Sequence, residues 1–547
     1  MKGVGKTVFS GDRVEGFDVE ILGVLENAGP RQSIILARLS GGPLERTGVM
    51  QGMSGSPVYI DGRLVGAVAM GFPFSKESIA GIRPIEEMLR VAARAPTSTA
   101  RVSLSDSSVL PPMASLGAFS AGTAELIDIA TPLSFSGFTQ ATVEHFGPQL
   151  RSLGFSPQQA VSGGNGPGVK STRPLEPGSM ISVQLVSGDM SIGADGTVTL
   201  LDGNRLYAFG HRFLAVGPTE LPFARANVLA LLPNVSSSFK ISSSGEWIGA
   251  ITSDNNAAIL GEIGKRPRMV PLSVTVNGAG GKSTYRMDLV NDRLLSPLLF
   301  QMVMYSALDA TERTLGPGNI GIHGKFEFEG SPPVKLENVY AGDFNVPLQA
   351  SLAASMPLAY ALQNALDALN LRSIELTLDV LPEKRQMQID QLWASRRDVH
   401  PGEVIDLTLV LMAENGSEVT KTIHYPVPIG APTGPLYFTV ADGGTTNSAE
   451  YRHFAVTQPR PAAQIISFLN ALRGNSKAYV RVWRADPAYL IQGEDLPDPP
   501  PSVAMVLNRT HSPSPSLPRT SKVAEFEIGA GDIVINGSKT VQVDVKE

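Results

Sequence analysis

Cysteine is absent from the 547-residue chain, which excludes disulfides, thiol nucleophiles and thiolate metal sites and leaves the redox compartment open. No apolar run approaches the ~18 residues that a membrane-spanning helix needs. The opening stretch MKGVGKTVFSGDRVEGFDVEILG has no apolar core of the kind a secretory signal carries. It enters a strand-like pattern at once, so a start truncated behind an export signal is one expectation. Basic clusters are missing too. The net charge is −6 and no dense Lys/Arg run occurs, which argues against nucleic acid as a partner. The seven histidines are scattered, none forms H-E-x-x-H, and no Asp-rich loop has calcium-binding spacing. No metal and no cofactor is therefore expected.

What is present favours strands. Hydrophobic residues make up 42% and charged residues 18%, enough apolar surface to bury sizeable cores. Glycine (55) and proline (41) exceed the roughly 12% of average usage, as many short elements joined by turns would require. Residues 1–95 read as strands and turns (DVEILGVL, SIILARL, SPVYIDGRLVGAVA) closed by a helix starting near Pro84. The Asp61-Gly62 pair predicts a type I′ hairpin, because glycine takes positive φ without steric cost. A Ser/Thr/Pro-rich linker is expected at 96–115 and a second β-rich block at 116–330. That block ends in a helix with Ser296 as N-cap, Pro297 at N1, and Met302 and Met304 as core filler. A helical connector follows at 331–372. Residues 373–547 read as a β-sandwich-like module with one helix, AAQIISFLNALRG, stopped by Gly474.

Two glycine-rich stretches carry possible chemistry. GVGKT at Gly3–Thr7 looks like the end of a phosphate-binding loop but lacks the earlier glycine and the preceding strand. GMSGSP, Gly52–Pro57, is different. A serine hydroxyl becomes a useful nucleophile only when a base takes its proton and donors hold the developing oxyanion. A glycine-rich turn can present backbone N–H groups in one direction, and Gly52 has no Cβ to obstruct a carbonyl. The residues alone allow both a structural turn and a nucleophile held by one.

GMSGSPVYIDGRLVGAVA, Gly52–Ala69, resembles the active-site serine segment of SpoIVB-type serine peptidases, the stage IV sporulation protein B family, and the likeness continues through Gly81 to Pro84. The resemblance implies a chymotrypsin-like double β-barrel peptidase unit, which with the C-terminal β-sandwich-like module and a few helices makes the chain mainly β. It implies Ser54 as nucleophile, with the amides of Gly52 and Ser54 as oxyanion hole. The segment LYAFGH resembles the family's histidine segment and implies His211 as general base. His145, His323, His400, His424, His453 and His511 stand in ordinary helix, strand or turn contexts. The halves are in rearranged order, since the family places its histidine before its serine. No acid occupies the stretch around Leu39 where the family has one, and Asp189, Asp195, Asp202 and Asp254 are open alternatives. The implied function is a serine endopeptidase acting on a protein or peptide substrate, exported or in the cell envelope. A possible envelope partner would dock on the C-terminal module. The alternatives are a non-catalytic envelope binding or scaffold protein that retains the fold, and an esterase of small acyl substrates.

Overall fold

The computed structural model describes residues 1–29, 32–90, 126–159, 173–311, 315–366, 368–455, 461–491, 494–497, 499–509, 519–529, 531 and 533–547. The linker expected at 96–115 lies outside them. Contacts divide the chain into two units: Met1–Val274 with Thr284–Ala310 and Leu371–Ser373, and Thr275–Ser283 with Thr311–Asn370 and Ile374–Glu547. Among the described residues no helix is long and apolar enough to cross a membrane.

The first unit contains two closed six-stranded barrels. The first is built from β1 (Lys2–Ser10), β2 (Arg13–Gly29), β3 (Gln32–Ser40), β5 (Pro57–Ile60), β6 (Arg63–Gly71) and β7 (Ile79–Pro84). A short helix α1 (Leu44–Thr47), the two-residue strand β4 (Met50–Gln51) and the closing helix α2 (Ile85–Arg90) complete it. The order β1-β2-β3-β7-β6-β5 returns to β1 through Val4↔Tyr59 and Gly5↔Val58, so the sheet has no free edge there. Asp61 and Gly62 turn the β5–β6 hairpin with φ of 48° and 75°, the left-handed pair a type I′ turn requires. Phe9, Phe17, Val19, Leu39, Met50, Val58 and Ile82 fill the interior. Each buried side chain of this size contributes about 1.5–3 kcal/mol. The GVGKT glycines belong to β1, and a Cβ at Gly5 would collide with the Phe17 ring, so Gly5 serves close packing.

After β8 (Ile127–Asp128), which pairs with β6, the chain forms a parallel strand–helix–strand step: β9 (Thr131–Ser136), α3 (Gln140–Ser152) and β10 (Phe155–Gln159). The second barrel follows, from β11 (Met180–Gly188), β12 (Ser191–Asp202), β13 (Arg205–Ala208), β14 (Gly217–Leu232), β15 (Ser238–Asn255) and β16 (Ala258–Ile263). Its pairings run β11-β12-β13-β16-β15-β14 and back to β11, all antiparallel. The expected double-barrel, mainly β fold is what the chain adopts. The helix α4 (Leu295–Thr311) is buried on nearly all sides. Its cap is Asp292, whose Oδ1 accepts from the amides of Leu294 and Leu295, rather than the expected Ser296. Ser296 instead donates its hydroxyl to Val290 O.

The second unit holds a β-sandwich. One sheet is ordered Glu418–Pro426, Val404–Ala413, Gln386–Ala394, Val534–Asn536; the other includes Ser538–Val545, Gly434–Asp442 and Lys477–Ile491. Leu407, Leu409 and Leu411 from one face meet Phe438, Val440, Val480 and Val482 from the other, the period-2 pattern of two stacked sheets. Its helix Ala462–Asn470 ends before the expected Gly474 because the amide of Ala471 closes the last turn on Phe468 O and Ser467 O.

Candidate active site

Ser54 and His211 come from different barrels, on the β4–β5 turn and the β13–β14 connection, and the serine turn packs against the start of that connection, Gly55 against the backbone of Phe209. Thr197 of β12 is the hub. Its amide donates to Ser54 O at 2.8 Å, its hydroxyl donates to Gly52 O at 2.8 Å, and its carbonyl accepts from Phe209 N at 3.2 Å. Thr199 Oγ1 adds a bond to Gly55 O at 2.7 Å. Barrel two thus takes the carbonyls of Gly52, Ser54 and Gly55. Met53 N donates to Met50 O, Gly55 N to Val68 O and Ser56 N to Met53 O. Among the described residues no acceptor receives the amides of Gly52 and Ser54. Two donors left open, two residues apart on a buried turn, are what an oxyanion hole requires. Gly52 and Gly55 reach this shape with φ of 89° and 93°, conformations that glycine alone takes cheaply.

The histidine is held from three sides. Phe209 and Gly210 have φ of 71° and 70°, and a bulky residue there is a strained position of the kind that collects at functional sites. Arg83 of β7 donates to Gly210 O at 3.4 Å. Asp254 of β15 accepts from the amides of Phe213, Leu214 and Val216 at 2.9, 2.6 and 3.3 Å, pinning the loop just past His211. In Asp254→Asn the amide group would oppose one of these donors. The variant is expected to lose about 2 kcal/mol, on the scale of hydrogen bonds to a charged group. Thermal melting and faster amide exchange at 213–216 would check it.

His211 Nδ1 lies 2.7 Å from Arg212 O. A carbonyl only accepts, so Nδ1 carries the proton and Nε2 keeps its lone pair. That Nε2, like Ser54 Oγ and Ser56 Oγ, is buried with no hydrogen-bond partner among the described residues. Ser54 is 0% and His211 3% exposed, and their functional atoms are not bonded to each other in this conformation. Burial pushes the imidazole pKa below its ordinary 6.5, and the strongest opposing influence is the negative charge of Asp128.

Asp128 was not among the candidate acids. Its Oδ1 is buried and unpaired by hydrogen bonds, with Arg83 at 3.9 Å. Of the expected alternatives, Asp254 anchors the loop, Asp189 accepts from Arg286 N at 2.7 Å, Asp202 stands opposite Arg205 in the β12–β13 hairpin, and Asp195 lies in a buried serine cluster. The signal for Asp128 is a lone carboxylate inside the apolar run LIDIA, distant from both serine and histidine in sequence. Beside the turn opens a cleft of about 200 Å³ whose walls include Gln51, Phe72, Phe74, Asp128, Val235 and Ser238. Of the other histidines, His145 packs against Tyr305, while His323, His400 and His424 pair with Asp379, Glu403 and Asp406.

Residues 4–89 match the model of the SpoIVB peptidase S55 family. The match spans the first barrel and the whole serine turn, so the SpoIVB-type resemblance of GMSGSP is a match at family level. At that level it marks a serine peptidase segment. His211 and Asp128 lie outside the matched residues. No curated protein and no solved structure matches the chain.

Proposed function

We propose that the first unit is a SpoIVB-like serine endopeptidase in which Ser54 is the nucleophile and His211 the general base. Ser54 Oγ attacks the scissile carbonyl while His211 Nε2 takes its proton. The amides of Gly52 and Ser54 receive the oxyanion, and collapse expels the amine with the proton returned by His211. Water then attacks the acyl-enzyme by the same route. Asp128 stabilises the transient imidazolium, and Arg212 O holds the ring's orientation. The observation that carries the reading is a set of four buried groups without hydrogen-bond partners among the described residues: Ser54 Oγ, His211 Nε2 and the amides of Gly52 and Ser54. Buried polar groups are left unpaired only at a cost of about 1–3 kcal/mol each, so finding them on both the serine turn and the histidine calls for a functional reason. The acylation step requires the His211 loop to close on Ser54 and the seam to admit the substrate. The 200 Å³ cleft is where a substrate side chain would enter. Export to the envelope is what the family resemblance implies, and docking of a partner on the sandwich is an expectation from that module's architecture.

A fluorophosphonate probe tests this directly. Wild type should be labelled, and mass mapping should place the adduct on Ser54, with labelling lost in His211→Ala. A folded protein that stays unlabelled would favour the second reading, a non-catalytic binding protein that keeps the peptidase fold, to which the burial of Ser54 also points.

The pH dependence has a defined sign. Burial lowers the His211 pKa below 6.5, so Nε2 is unprotonated at neutral pH and the acid limb of kcat/KM should lie below pH 6.5. Asp128→Asn should move that limb lower still and depress the plateau. A limb above about pH 7 would contradict the assignment. The same shift means that the unfolded chain binds this proton more tightly, so the histidine's contribution to stability is lost as pH falls below 6.5.

A further inference from the structure

A lysine lies under the serine turn. Lys240 of β15 is 0% exposed, and its stem packs on Gly52: a Cβ built there would be 3.2 Å from Lys240 Cδ and 3.5 Å from its Cβ and Cγ. Nζ donates to Thr7 Oγ1 of β1 at 2.8 Å. No carboxylate forms an ion pair with it among the described residues. Asp195 of β12 is the one titratable group whose charge it feels, and that carboxylate is itself buried with Ser134, Ser182 and Ser242 as donors. Thr7 from β1, Gly52 from the turn, and Leu231, its ladder partner on β14, are uncharged. For stability alone this is a poor arrangement, since a buried ammonium with one hydrogen bond is costly and an apolar stem of equal length would pack as well.

We propose that Lys240 is a positioning residue of the serine turn, its stem propping Gly52 and its ammonium, anchored on Thr7, adding positive charge behind the open amides of Gly52 and Ser54. This rests on the Ser54 reading above. The ammonium is two bonds beyond the Cδ that lies against Gly52, at a fully buried position where a full charge is weakly screened. An oxyanion at the two amides would feel it, whereas the neutral substrate carbonyl would feel it far less. The effect is thus specific to the transition state and belongs in kcat rather than KM. Burial pulls the Lys240 pKa down to about 7, with Asp195 opposing, and burial pushes Asp195 up to about 6. Lys240 therefore loses its charge close to neutrality, and turnover should fall on the alkaline side as it does.

The experiment is the pH profile of the fluorophosphonate labelling rate at Ser54, measured on the full chain for wild type, Lys240→Met and Thr7→Val. Wild type should slow above about pH 7, where a Ser–His pair alone would stay on its plateau. Lys240→Met keeps the stem and removes the charge. It should label roughly 10–100-fold more slowly at saturating probe, without the alkaline fall and at unchanged half-saturating concentration. Thr7→Val removes the acceptor that favours the charged amine, so its alkaline fall should move to lower pH; this variant carries the test if Lys240→Met melts below the assay temperature. A folded Lys240→Met with the wild-type rate and profile overturns the proposal while leaving Ser54 as nucleophile. Wild type that is unlabelled at every pH overturns the Ser54 reading and the proposal with it.

Discussion

Ser54→Ala is expected to remove peptide cleavage altogether, a loss of roughly 10⁴–10⁶-fold on the scale of other serine peptidases, while the protein stays folded. Ser56→Ala, two residues away, should keep turnover within a few-fold. The two serines are chemically alike and equally buried, and neither hydroxyl has a partner, so the pair controls for everything except position. Position differs sharply. Ser54 carries one of the two open amides and has its carbonyl clamped by Thr197, whereas Ser56 is already committed to the strand, its amide on Met53 O and its carbonyl receiving Val68 N. Stability should move the other way from activity. Deleting an unsatisfied buried hydroxyl relieves a desolvation cost, so the melting temperature of Ser54→Ala should be unchanged or slightly higher. Steady-state cleavage of a peptide library together with thermal melts would decide. Full activity in Ser54→Ala, or its loss in a folded Ser56→Ala, would end the assignment.

How far the site could be read from the sequence follows from how local each feature is. The β5–β6 hairpin was legible because Asp61-Gly62 states its own turn type, and GMSGSP and FGH were legible because each is a short segment whose glycines encode a backbone shape. Barrel closure was carried by resemblance, since pairings such as Val4↔Tyr59 and Ile181↔Arg225 join residues far apart in the chain. Asp128 and Lys240 were not legible at all. Each is a lone charge among uncharged neighbours in sequence, and its partner comes from another element: Arg83 for the aspartate, Thr7 for the lysine. A residue whose role is to face across a seam leaves no pattern in its own neighbourhood. The α4 cap failed for a smaller reason, because Asp292 competes for the same amides and lies one turn earlier.

The second large effect concerns the fold that makes the site. Gly55→Ala is expected to cost about 4 kcal/mol or more, while Gly62→Ala, also at positive φ, should cost about 1. Both glycines are left-handed, at 93° and 75°, so backbone strain alone would treat them nearly alike. Around Gly62 there is open space. At Gly55 a Cβ would fall inside the radius of Thr197 O, 2.5 Å from Phe209 N and 3.0 Å from Phe209 Cα. These are backbone atoms of the other barrel, fixed in their own ladders, and cannot step aside as a flexible side chain would. The only relief is to separate the barrels. That would break Thr199 Oγ1–Gly55 O and Thr197 N–Ser54 O, and it would carry Phe209, hence His211, away from Ser54. Stability and activity should therefore fall together in Gly55→Ala. In Gly52→Ala the nearest obstacle is the Lys240 stem at 3.2 Å, which can shift, so activity should suffer more than stability. Chemical denaturation midpoints for the three variants, set beside their labelling rates, would separate the cases. A Gly55→Ala protein as stable as Gly62→Ala would mean that the barrels do not meet at this turn.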